Sequence, residues 1–138
     1  MADAHGVGDV KVEVGVVVRD ADAMAAFYGD VIGLQYVGDL EFGGGRMRRY
    51  AHGDAVVKLV ATDAPPELSN PPNGPAGDAS GVRYLTLQVD DVEATVKRCV
   101  DAGRPVPVPR FEFQPGVFIA MVEDPDGNWV ELVQPPAA

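Results

Sequence analysis

The chain carries one pattern twice. VVVRDADA (16–23) lines up with LQVDDVEA (87–94) at a shift of 71 residues, and VVKLV (56–60) lines up with WVELV (129–133) at a shift of 73. An internal repeat constrains a fold more than a single motif does, because each copy must adopt the same supersecondary unit and the two units must share a core. The unit itself follows from residue periodicity. KVEVGVVVRD (11–20) is strand-like, and Asp20 stands where a helix N-cap would. Met24, Phe27, Tyr28 and Val31 keep the spacing of one buried helix face, with Gly33 at the expected stop. Strand candidates LQYVGDL (34–40), RMRRYA (46–51) and AVVKLVA (55–61) follow, separated by GGG and HGD turns. The order is β-α-β-β-β.

The second half repeats that order. VRYLTLQV (82–89) is a strand, Asp90 and Asp91 are caps, and Val92, Val96, Cys99 and Val100 form a helix face that Gly103 closes. Further strands are expected around Pro105–Pro109, Val117–Val122 and Trp129–Val133. The domain reading is a tail over 1–10, a first module over 11–61, a Pro- and Gly-rich linker over 62–81, a second module over 82–134 and a short tail over 135–138. A 20-residue connection of this kind either joins two modules across the surface or covers a cleft.

Composition narrows the partners. The 138 residues suit one domain, and a globular chain of that size buries roughly two thirds of its unfolded surface. A formal net charge of −10 argues against nucleic acid and anionic membranes and leaves a neutral or cationic small molecule as the expected partner. The single Cys99 excludes an internal disulfide and multi-cysteine metal motifs. No long apolar run or signal-like start is present, so the expected location is cytoplasmic. The two histidines, His5 in the N-terminal tail and His52 in a turn, offer little for metal binding.

The remaining chemistry lies in charges that interrupt apolar strands. Glu131 sits inside the apolar stretch from Trp129 to Val133, and a charge on such a face requires a partner. Under the repeat its counterpart is Lys58, and Glu13 in the first strand is the counterpart of Tyr84. Strand alternation puts Glu13 with Gly15 and Val17, Lys58 with Val56 and Val60, and Tyr84 with Thr86 and Gln88, opposite the faces that suit helix packing. Two related modules about a pseudo-twofold axis would gather these polar groups around a common centre. Weaker candidates are Arg48, in the basic run RMRRY, and the aromatic residues Trp129, Phe111 and Phe113 as pocket walls.

The stretches VEVGVVVRDADAMAAFYGDVIGL, YLTLQVDDVEA and EDPDGNWVEL resemble the vicinal oxygen chelate superfamily, the group of glyoxalases, bleomycin-resistance proteins and extradiol dioxygenases. The resemblance implies an α+β fold in which two βαβββ modules form a curved eight-stranded mixed sheet around a cleft, with the helices outside. It also implies that metal-dependent members take their ligands from positions matching Glu13, Lys58, Tyr84 and Glu131. Only Glu131 keeps the residue usual there. A lysine in the centre repels a divalent ion, so no cofactor is expected, and any metal would be held by Glu13 and Glu131 alone. We expect the Lys58 ammonium to take the metal's place, bridging Glu13 and Glu131 with Tyr84 as a further hydrogen-bond partner. The function that follows is small-molecule binding in the cleft without the usual metal. The alternative is a lyase, isomerase or dioxygenase on a small oxygenated substrate, with Glu13 or Glu131 as base. The resemblance also implies a homodimer.

Overall fold

The computed structural model describes residues 11–71 and 74–137, so the tail over 1–10, with His5, lies outside the described residues. Its elements run β1 (Glu13–Val17), α1 (Ala21–Ala25) with a π-helical continuation (Ala26–Ile32), β2 (Gln35–Phe42), β3 (Gly45–His52) and β4 (Ala55–Thr62). After the connection, which holds a 3-10 turn (Gly74–Ala76), come β5 (Tyr84–Gln88), α2 (Val92–Asp101), β6 (Val108–Gln114), β7 (Val117–Glu123) and β8 (Trp129–Gln134). The β-α-β-β-β order is present twice. The eight strands fall into two four-stranded mixed sheets, ordered β1-β4-β3-β2 and β5-β8-β7-β6, so β1 and β5 are each an edge strand.

The strand register places the repeat in space. Glu13 pairs with Val56 and Gly15 with Lys58 in the first parallel ladder, while Tyr84 pairs with Trp129 and Thr86 with Glu131 in the second. Both shifts found in the sequence, 71 in the first strands and 73 in the last, are therefore preserved as equivalent rungs.

Each helix opens on an aspartate cap. The Asp20 carboxylate accepts from the Ala23 backbone N–H at 3.0 Å, and Asp91 accepts from Ala94 at 3.0 Å, each filling one of the helix's unpaired N-terminal donors. The first helix differs from its expected stripe. It widens into a π-turn after Ala25, and Gly33, at φ 94°, donates its N–H to the Tyr28 carbonyl. The wider turn moves the buried face from Val31 to Ile32, so Met24, Phe27, Tyr28 and Ile32 are buried and Val31 is only partly covered. In α2 the buried residues are Val92, Thr95 and Cys99, whereas Val100 is 56% exposed, because the stripe runs through positions 92, 95 and 99. Thr95 belongs to that face because its hydroxyl donates to the Asp91 carbonyl at 2.9 Å. The sixth strand begins later than Pro105, since Pro105 and Pro107 supply no N–H to a ladder; it runs from Val108 as an edge strand with an irregular register at Pro109.

The helix-facing sides of both sheets share one core. Val57 and Leu59 from the first module, and Leu87, Val122, Val130 and Leu132 from the second, are at most 5% exposed. Each fully buried side chain of this type contributes roughly 1.5–3 kcal/mol. Polar ties fasten the modules to each other. The Arg19 backbone N–H donates to Asp126 Oδ2 at 2.8 Å, and the His52 ring Nε2 lies 2.6 Å from the Gln88 carbonyl. These are pseudo-equivalent contacts, each joining the end of one module's first strand to the other module's last hairpin turn. Arg98 adds a third tie by donating from Nε to the Val31 carbonyl at 2.8 Å, at the C-terminal end of the first helix.

Candidate functional site

The side of each sheet turned away from the helices carries the polar set. On the first sheet Lys58 lies between Gly15 and Arg49, the second of which is its direct cross-strand partner. Glu13 pairs with Arg49, whose Nη2 lies 3.8 Å from Glu13 Oε1. On the second sheet Glu131 lies between Thr86 and Met121, and the Thr86 hydroxyl donates to Glu131 Oε1 at 2.9 Å. The carboxylate that interrupts an apolar strand is thus held by a neighbour one strand away.

The Lys58 bridge expected from the sequence is not formed. Arg49 takes Glu13, Thr86 takes Glu131, and among the described residues no ion pair joins Lys58 to either carboxylate. Nor does a described hydrogen bond or ion pair link the first-module pair to the second-module pair. Arg49 was missed, although the alternation within RMRRY carries the signal: a residue opposite Lys58 must share its face, and that residue is Arg49. Arg48 is opposite Leu59 and so lies on the helix side, where Asp39 Oδ1 is 3.4 Å from its Nε and the Tyr36 ring centroid is 6.0 Å away.

The other candidates fall in two places. Gln88 and Phe111 share the open face of the second sheet through the Val133 and Ile119 rungs, and Phe113 packs edge-on to Phe111 with ring centroids 6.4 Å apart. Trp129 and Tyr84 are neighbours on the same face and also line a cavity of about 470 Å³ between the edge strands β1 and β5. The 62–81 connection reaches this region. Gly74, at φ 58°, lies against the Trp129 ring so closely that a Cβ there would collide with it.

A second constellation was not foreseen. Asp124, 1% exposed, accepts from the Tyr28 hydroxyl at 2.7 Å, from the Asp126 backbone N–H at 2.9 Å and from the Asn128 backbone and side chain at 3.0 and 2.9 Å. Burial pushes the Asp124 carboxyl above its ordinary value, opposed by these hydrogen bonds. Burial, the Asp124 charge and their hydrogen bond push the Tyr28 hydroxyl well above 10.0. The DPDGN turn is therefore a buried anchor for the first helix as well as a loop. Its sequence signal is the Asp124 and Asn128 pair across a three-residue Pro-Asp-Gly tip, although nothing in the sequence identifies Tyr28 as the donor.

A family model for the Glyoxalase/Bleomycin resistance protein/Dioxygenase superfamily matches residues 12–132. The chain belongs to this superfamily. No curated protein matches it. Among solved structures, a glyoxalase family protein from Bacillus cereus superposes with a TM-score of 0.83 at 17% identity, covering 99% of this chain and 100% of that one. TnmS3, an antibiotic binding protein from Streptomyces sp. CB03234, gives 0.66 at 28% identity, covering 92% and 96%. The trypanothione-dependent glyoxalase I of Leishmania major gives 0.70 at 20% identity, covering 92% and 87%.

Superfamily membership raises the question of a metal, and the donor chemistry answers it for these positions. Two carboxylates are present, each engaged by a neighbour, together with a phenol and an ammonium group that stands directly across from a guanidinium. Among the described residues no group of three or more His, Cys, Asp and Glu side chains is placed to hold an ion. This set does not fit a divalent cation. No helix among the described residues is long and apolar enough to cross a membrane.

Proposed function

We propose that this superfamily member binds a small aromatic molecule on the open faces of its sheets, without a metal ion, and that a second copy of the chain closes the cleft. The observation that carries this reading is the pairing of Lys58 with Arg49 on one open face, where a metal-dependent relative would need anionic or neutral donors. The second sheet complements it with Glu131, Thr86, Tyr84 and Trp129 on one face, a carboxylate, two hydroxyls and an indole. A neutral aromatic ligand with polar substituents can meet both sheets without introducing an uncompensated charge. The likeness to an antibiotic binding protein supports binding as the task.

Trp129 is the only tryptophan, so its emission reports on the site. Aromatic natural-product antibiotics titrated into EDTA-treated protein should quench it saturably. The ligand should be recovered unchanged by mass spectrometry, and Glu131→Gln or Lys58→Met should weaken binding. A metal at near one per chain by elemental analysis would overturn the metal-free reading. A ligand returned chemically altered would replace binding with catalysis, Glu131 or Glu13 then acting as the base.

A further inference from the structure

One rung of the first sheet runs Gly15, Lys58, Arg49, Gly38 across β1, β4, β3 and β2. Lys58 and Arg49 are direct cross-strand partners, which sets their Cβ atoms roughly 4.5–5.5 Å apart, and like charges so opposed destabilise a sheet. Among the described residues one carboxylate answers them, and only loosely: Glu13 Oε1 is 3.8 Å from Arg49 Nη2, beyond hydrogen-bond reach. Lys58 itself has no ion pair or side-chain hydrogen bond among the described residues. The rung is also bare at both ends. A Cβ built on Gly15 or Gly38 would meet nothing within 4 Å, so open space lies beside each cation. Gly38 needs glycine for its φ of 119° at a bulge in β2, whereas Gly15 has no positive φ and its backbone suits any strand residue. The neighbours on this face are apolar: Val56 and Val60 flank Lys58, and Met47 and Ala51 flank Arg49. The Arg49 side chain is 31% exposed and Lys58 is half-buried, and neither has a polar atom among the buried unpaired ones, so both heads are open to a ligand.

We propose that this rung is an oxyanion seat, and that the aromatic ligand carries an acidic phenol or enol, bound as its anion with the oxygen between the Lys58 ammonium and the Arg49 guanidinium. The seat belongs to the open-face site proposed above and rests on that reading. Two cations against one carboxylate leave a single surplus positive charge, which matches a monoanion. A ligand that is neutral in solution supplies that charge by ionising: the O–H bond breaks, its electron pair stays on oxygen, and the proton leaves to the buffer. Lys58 and Arg49 can only donate, so an oxygen bearing lone pairs alone suits them better than one that keeps its own O–H. The apolar surround of Val56, Val60, Met47 and Ala51 then selects among anions. Stripping water from a localised charge costs more than stripping it from a charge spread over an aromatic ring, so a carboxylate is the poorer match. A dianion would leave one charge unanswered. The hollow at Gly15 gives the ligand ring room beside the ammonium.

The test uses the full chain with para-nitrophenol, whose ionised form absorbs in the visible. Para-nitroanisole, an ether that cannot ionise, and para-nitrobenzoate, a carboxylate, are the comparison probes. Equilibrium dialysis reads affinity and absorbance reads ionisation. At a pH just below the free phenol's titration midpoint, the bound phenol should show the phenolate band, its midpoint lowered by about one pH unit, which is a tenfold preference for the anion. The ether and the carboxylate should bind about tenfold more weakly or worse. Lys58→Met should abolish the phenolate band and raise the melting temperature of the ligand-free protein, because it relieves the like-charge pair. Gly15→Val keeps every charge and fills the hollow, so it should weaken phenolate binding while circular dichroism stays native. An ether that binds as tightly as the phenol, a bound phenol that keeps its protonated spectrum, or a carboxylate that binds more tightly than the phenol would each overturn the seat. So would a phenolate band that survives Lys58→Met, a melting temperature lowered by that substitution, or binding indifferent to Gly15→Val. Saturable binding of the ether with the phenol still protonated removes the seat and leaves the open-face reading standing, whereas a panel in which no probe saturates removes both.

Discussion

Replacing Tyr28 with phenylalanine removes one hydroxyl from the buried junction between the modules and leaves the ring, which packs edge-on to Phe27 with centroids 4.9 Å apart. The lost bond, 2.7 Å from the phenol to Asp124 Oδ2, is charge-assisted when Asp124 is ionised. Such bonds contribute roughly 1.5–3 kcal/mol, and the Asp124 oxygen would be left short of a donor in a site only 1% exposed. The expected cost near neutral pH is about 2 kcal/mol, a fall in melting temperature of roughly 6–10 °C for a domain of this size. The pH dependence makes the expectation sharper. Burial raises the folded-state pKa of Asp124 above 3.8, so its contribution to stability is greatest below 3.8 and declines as pH rises through the raised folded value. The Tyr28 hydrogen bond pulls that pKa down, and removing it raises the pKa further. The difference between wild type and Tyr28→Phe should therefore be larger at pH 7 than near pH 4, where Asp124 approaches protonation in both proteins. Urea unfolding at the two pH values measures it, with Asp124→Asn and the double variant completing a cycle. A Tyr28→Phe cost that is negligible, or that is the same at both pH values, would refute the claim that this junction is electrostatic.

Two further expectations concern single residues. Burial raises the Cys99 thiol to about 11, so native protein at pH 8 should react with a disulfide reagent far more slowly than protein unfolded in guanidinium, and fast native labelling would mean that α2 opens readily. Gly74→Ala places a methyl group in the Trp129 ring at a positive φ, so either the connection or the indole must move; a red-shifted Trp129 emission with near-native circular dichroism is expected, and an unchanged spectrum would show that the connection does not rest on the ring.

The architecture was legible because a repeat is a statement about space. Once VVKLV and WVELV are aligned, equivalent rungs follow, and Gly15 opposite Lys58 and Thr86 opposite Glu131 are those rungs. Period-two alternation likewise assigned Val57 and Leu59 to the helix side and Lys58 to the other. The partners were harder. Alternation says which face a side chain occupies but not which strand supplies its contact, so Glu13 was matched with Lys58 although the arginine at the adjoining rung of β3 reaches it. The π-turn after Ala25 is invisible to a helical stripe of fixed period, which is why Val31 was expected in the core in place of Ile32. Long-range contacts such as Tyr28 to Asp124 join positions 96 apart, and nothing local in either segment names the other.

The open faces bear on self-association. Val17, Val60, Met47 and Leu40 form one cross-strand row on the first sheet, and Val17 and Leu40 at its ends are 55% and 53% exposed. On the second sheet Phe111 and Phe113 are 43% and 57% exposed. Contiguous apolar surface of this kind on a monomer marks an interaction site. The proposed occupant is a second copy, because a twofold pair could bury both faces at once and leave Lys58 and Glu131 lining what remains between them. Each chain carries a net charge of −10, so bringing two together is opposed by repulsion that salt screens, with a Debye length near 10 Å at roughly 0.1 M. Sedimentation equilibrium should therefore show a dimer whose association strengthens between low salt and about 0.3 M, the reverse of an interface held by ion pairs. Leu40→Asp or Phe113→Asp, each adding a desolvated carboxylate to the apolar row, should shift the equilibrium toward monomer by at least tenfold, about 1.4 kcal/mol. Both substitutions are at exposed positions and should leave the monomer's melting temperature nearly unchanged. A chain that stays monomeric at every salt concentration, or a dimer indifferent to both substitutions, would leave these faces to the ligand alone.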